Sequence, residues 1–182
     1  MAVLNSPKTS YNPETLLKKL AAEYPDVILK PGKVFLWSPK QHVVSYIPDQ
    51  LTSDKGSWSL LHEVSHAILG HRDYRNDFEL LQLEVAAWEE ALAVGERLSI
   101  KIDQNFIEDC LDTYRDWLHQ RSTCPTCGSS GLQHDPKTYR CHNCLTIWHV
   151  SQSRFCRPYR KKLHTSVTKE KSPDQNDQTI FN

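Results

Sequence analysis

The chain has 182 residues, 38% of them apolar, with 22 basic and 22 acidic side chains. That length suits one domain, or one domain plus a small appendage, and a balanced net charge is silent about partners. No stretch approaches the roughly 20 apolar residues of a membrane span, and the polar start Met1–Tyr11 lacks an apolar signal region, so a membrane or exported protein is excluded on this reading and a cytoplasmic one expected.

Residues 1–12 read as a loose leader. Asn12-Pro13 opens a short helix that runs to Tyr24, with Leu16, Leu17, Leu20 and Ala21 at helical spacing, and Pro25 stops it. Val34–Trp37 and His42–Ile47 read as two strands around the turn Ser38-Pro39-Lys40-Gln41. Ser53 or Asp54 caps the next helix, which stops near Gly70. A loop, 71–76, leads to a long, mostly apolar helix over Asp77–Leu98. A further helix over Asp103–His119 turns Ile107, Leu111, Tyr114 and Leu118 inward. Residues 122–159 form a cysteine module, and 160–182 a polar tail expected to be disordered, since it has almost nothing apolar to bury.

The second of these helices carries His62-Glu63-Val64-Ser65-His66 in an apolar frame, Leu60-Leu61 before and Ala67-Ile68-Leu69 after. Two histidines four apart share one helical face, where both rings reach a single metal ion. Glu63 stands beside them, placed to act as general base on a water rather than as a ligand. This is the arrangement of zinc peptidases, and it makes peptide hydrolysis the leading expectation. Catalytic zinc takes three protein ligands and keeps one position for water. His71 lies five residues beyond His66, a rotation of about 140° on a continuous helix, so it ligates only if the helix breaks at Gly70. Carboxylates on the next helix are better placed. Glu79 has polar neighbours. Glu84, Glu89 and Glu90 all have apolar ones, and a carboxylate on an apolar face needs a partner such as an ion. Periodicity leaves those three open.

The stretch from His62 to His71, with Leu69-Gly70-His71 closing it, resembles the ImmA/IrrE family of metallopeptidases. That family takes its third ligand from a Glu-x-Glu-Ala-Asn-x-Phe-Ala pattern on the following helix. The matching stretch is Gln82–Glu89, where Glu84 meets the second acid and Trp88 the aromatic, while Gln82, Val85, Ala86 and Glu89 depart from the pattern. The resemblance covers about residues 14–98 and implies Glu84 as third ligand of the zinc centre. It also implies limited proteolysis of a specific protein, typically a transcriptional repressor. His71 and Tyr74, just past the motif helix, are candidates for oxyanion or substrate contact. The strand His42–Ile47 offers an edge to which an extended peptide could add.

Two Cys-x-x-Cys pairs, Cys124/Cys127 and Cys141/Cys144, are separated by thirteen residues. Four thiolates satisfy tetrahedral zinc and leave no open position, which is a structural site. Gly128 and Gly131 are expected to supply the backbone angles such knuckles need. His134–Lys137 turns a hairpin, and Leu145–Val150 adds a strand, giving a zinc ribbon. Cys110 reads as a buried apolar position and Cys156 as a spare thiol. From Arg121 to His164 eight basic residues face a single acid, Asp135, with Tyr139, Trp148, Phe155 and Tyr159 interleaved, a pattern that could contact nucleic acid.

The expected architecture is therefore α+β. A small, mostly helical zincin-like domain with a short sheet (13–121) precedes a β zinc ribbon (122–159), with one catalytic and one structural zinc ion. Two alternatives stand beside a protease with a protein substrate. One is a SprT-like protease acting on DNA-bound proteins, which would need His71 as a ligand. The other is a non-catalytic ribbon module, against which an intact Glu63 speaks.

Overall fold

The computed structural model describes residues 12–151 and 158–163. All of the expected 1–12 leader but Asn12, together with Cys156 and the tail from 164 onward, lies outside them. Helix α1 (Pro13–Glu23) starts where the Asn12 side chain accepts the Glu14 N–H at 2.8 Å and Pro13 has no N–H that needs an acceptor. Its apolar stripe buries Leu16 and Leu20. Strands β1 (Ile28–Pro31), β2 (Leu36–Ser38) and β3 (Val43–Tyr46) follow in the order β1-β3-β2, with β1 parallel and β2 antiparallel to β3.

Two expectations change here. Strand β1 was not read from the sequence, because its side chains are mostly exposed and its pairing is non-local. And β3, expected to offer a free edge, is the central strand with both edges paired; the edge strand beside the motif helix is β2.

A short 3₁₀ turn (Pro48–Thr52) delivers the chain to α2 (Asp54–Ile68), whose N-cap is Ser53, accepting the Gly56 N–H. Helix α3 (Asp77–Leu98) is capped by Asn76 and packs along α2. Helix α4 (Gln104–Ser122), capped by Asp103, packs along α3. One core joins them, with Val44 from the sheet, Leu60, Leu61 and Val64 from α2, Ala91 and Val94 from α3, and Ile107 and Leu111 from α4. Tyr114 and Leu118 are only half-buried, and Trp117 takes the deeper place on α4. Cys110 is half-buried against the core.

The second sheet orders β4 (Leu132–Asp135), β5 (Thr138–Arg140), β6 (Ile147–Val150) and β7 (Arg160–Lys162) as an antiparallel meander. Strand β7 was assigned to the disordered tail. Its register, with Lys162 opposite Trp148 and Arg160 opposite Val150, instead extends the ribbon beyond residue 159.

The ribbon is docked on the helices through a buried polar cluster. Asp77, at the first turn of α3, receives Arg121 at 2.5 Å, the Tyr139 hydroxyl at 2.6 Å and the Gln133 side chain at 3.4 Å. Arg121 also donates to the carbonyls of Pro136 and Ser151, and its own carbonyl accepts from the Trp148 indole. Asp77 and Arg121 are 3% and 1% exposed, so the pair is withdrawn from solvent screening. Burial, followed by the hydrogen bond to Asp77, pushes the Tyr139 phenol well above its ordinary value.

Candidate metal centres

Helix geometry brings His62 and His66 to one face of α2, as their spacing requires, and α3 lies against that face. The Nε2 atoms of the two rings are 3.1 Å apart. Glu84 Oε2 lies 3.1 Å from the first and 3.6 Å from the second. Ligands about 2.0–2.1 Å from a tetrahedral ion stand about 3.3 Å from one another, so these three atoms bracket the right spacing. The donor set of two imidazoles and a carboxylate suits zinc.

Tertiary structure separates the three candidate acids. Glu84 is 6% exposed, whereas Glu89 faces solvent and Glu90 pairs with Arg97. Burial works to raise the Glu84 carboxyl, but the hydrogen bonds and charges of His62 and His66 outweigh it and hold the group well below the usual carboxylate range.

The two rings are held differently. His62 stacks on Trp88, with centroids 4.1 Å apart and planes at 23°, and its Nδ1 is buried with no hydrogen-bond partner among the described residues. His66 turns Nδ1 toward Nδ1 of His71 at 2.8 Å. His71 therefore lies on the far side of His66 from the three converging atoms and is not in the ligand group. Burial first, and then the neighbouring His66, lower the His71 imidazole from its ordinary value.

Glu63 is on the same turn but points toward the sheet. Its Oε2 accepts the backbone N–H of Trp37, on β2, at 2.6 Å, and the Trp37 indole donates to the His71 carbonyl at 2.8 Å. A cleft of about 560 Å³ opens in front of Glu63, His66 and Glu84. Its walls are apolar: Val34 and Leu36 from the β2 segment, Leu80 and Leu83 from α3, and Tyr114 from α4. Tyr74 lines the same cleft and is 44% exposed. Trp37 was not foreseen as a site residue. An isolated tryptophan in a short strand has no local signal beyond strand propensity.

Cys124, Cys127, Cys141 and Cys144 form the second cluster. Cys124 and Cys144 sulfurs are 3.5 Å apart, Cys127 and Cys141 sulfurs 3.6 Å. Zinc–sulfur bonds of about 2.3 Å imply separations of about 3.8 Å, so the cluster fits a closed four-thiolate site. The Ser129 N–H and hydroxyl and the Asn143 amide lower the Cys127 thiol to about 5. The knuckles differ from expectation in one respect. Gly128 does adopt φ +75°, but the equivalent place in the second knuckle is Leu145, at φ +59°. Gly131 is needed for space, since a Cβ there would stand 2.4 Å from the Trp148 ring.

No family model, curated protein or solved structure matches the chain. No helix among the described residues is long and apolar enough to cross a membrane.

Proposed function

We propose that this chain is a zinc-dependent endopeptidase of the ImmA/IrrE type, which makes a limited cut in a specific protein such as a transcriptional regulator. The observation that carries the reading is the convergence of His62, His66 and Glu84 beside a second carboxylate, Glu63, at the floor of an open cleft. A chance motif on an amphipathic helix would not draw a buried acid from a second helix onto both rings.

His62, His66 and Glu84 would hold the ion. Bound zinc supplies an acidified water and a Lewis acid for the scissile carbonyl. Glu63 takes the water's proton and later gives it to the departing amine. Its Oε2 is anchored by the Trp37 N–H, which holds the carboxylate in place beside the two rings. The outer edge of β2, unpaired among the described residues, lets an extended peptide lie along the cleft, and the apolar walls exclude water from the reacting bond. The four cysteines stabilise the ribbon with a second zinc ion.

The ribbon's outward face supports a nucleic-acid partner. One face of β5, β6 and β7 presents Arg140, His149 and Lys161, all exposed: His149 stands opposite Lys161, and Arg140, opposite Ile147, lies two residues along on the same face. A substrate bound to nucleic acid would then be brought to the cleft.

Glu63→Gln tests the hydrolase. It keeps the anchor to Trp37 and both ions but removes the base. Wild type should create new termini in a proteome-derived peptide library, read by mass spectrometry, and the variant should lose at least about 100-fold in rate. Equal cleavage by the variant, or none by wild type, would sink the reading.

A further inference from the structure

The end of helix α2 is built so that one histidine grips another. Leu69 is the C-cap and Gly70, at φ +64°, takes the left-handed position after it. The Gly70 N–H bonds to the Ala67 carbonyl at 3.1 Å and the His71 N–H to the His66 carbonyl at 2.9 Å. These two bonds define a Schellman turn, which brings the side chain two residues past the cap onto the side chain three residues before it. That contact is usually apolar. Here the two residues are His71 and His66, and their Nδ1 atoms meet at 2.8 Å.

Chemistry fixes the direction of this bond. A ligating imidazole must leave its metal-facing nitrogen unprotonated. Nε2 of His66 faces His62 and Glu84, so its proton sits on Nδ1 and is donated to His71. His71 accepts on Nδ1 and keeps its own proton on Nε2. Its carbonyl is held by the Trp37 indole, and the Trp37 backbone N–H holds Glu63. A chain of hydrogen bonds thus runs from the base, through the edge strand, to one of the ligands. Among the described residues nothing comparable holds Nδ1 of His62, whose ring stacks against Trp88.

We infer that His71 is a positioning residue: placed by the Schellman turn at Gly70 and tethered by Trp37, it fixes the tautomer and ring orientation of His66 toward the metal. This rests on the metal-centre reading above. Outer partners of ligating histidines typically contribute about 10–100-fold in metal affinity.

The test measures zinc and not cleavage. Competition against a chromogenic chelator, on the full chain, gives the affinity at the His/Glu site, with His62→Ala identifying that site's ion. His71→Ala should weaken it about 10–100-fold and leave the cysteine-held ion in place. His71→Asn puts an acceptor oxygen near the lost Nδ1 and should restore affinity to within about threefold of wild type, and the cobalt(II) visible spectrum of the site should change in the first variant and recover in the second. Trp37→Phe should fall between them. Circular dichroism checks that each variant folds.

An affinity in His71→Ala within twofold of wild type overturns the proposal, as does failure of asparagine to rescue. Complete loss of the ion would make His71 a ligand and overturn it equally. If wild type and His62→Ala hold the same amount of zinc, the metal-centre reading itself has failed, and this result is distinct from the others.

Discussion

Asp77→Asn loosens the contact between the helices and the ribbon without touching either candidate metal site. The substitution is nearly isosteric, but it leaves Arg121, 1% exposed, without a counter-charge. Removing one partner of a buried ion pair costs about 3–5 kcal/mol, and the surviving amide oxygen, still able to accept from Arg121 or Tyr139, argues for the lower end. Against a total stability of about 5–15 kcal/mol, that is a large share. Urea unfolding in saturating zinc, followed by tryptophan fluorescence, reads the loss. Trp148 and Trp117 report directly, since one donates to the Arg121 carbonyl and the other lies beneath its guanidinium at 4.3 Å. The double variant Asp77→Leu with Arg121→Met removes both charges and should recover much of the deficit. Zinc content should stay at two per chain throughout, because the ligands of each ion lie within one half. A loss below about 1 kcal/mol, or a double variant no better than the single ones, would refute the claim that this pair holds the ribbon in place.

Glu84→Ala should release one zinc and Cys141→Ser the other, a difference that elemental analysis of each variant would show. Gly70→Ala meets no atom within 4 Å, so its cost is the left-handed strain alone, about 1–2 kcal/mol in thermal or chemical unfolding. The Tyr139 phenol is raised in the fold above its ordinary value of 10.0, so its contribution is complete below that pH and is lost as pH rises through the folded value. Alkaline unfolding profiles should therefore flatten in Tyr139→Phe, at a constant loss near neutral pH. Charge reversal at Arg140 and Lys161 should abolish any binding of duplex or single-stranded DNA, and wild-type binding should weaken steeply between low and high salt; unchanged binding in the variant would remove the ribbon face as the contact.

Local pattern was enough for the four helices, for the pair His62 and His66, and for both cysteine knuckles. Their signals are short-range: caps, a 3.6-residue stripe, and fixed spacings that place donors on one face or in one turn. Which acid completes the first centre was not so encoded. Glu84, Glu89 and Glu90 all have apolar helical neighbours, and only the packing of α3 on α2 makes the first of them buried and turned to the rings. The same holds for β1 and for the central place of β3. The clamp from Asp77 to Arg121 and Tyr139 joins residues 44 and 62 apart in the chain. Sequence determined which side chains can bind metal, because that follows from type and spacing. Tertiary structure decided which of them meet and what holds them there, because such pairings are set by how distant elements pack and leave no periodicity behind.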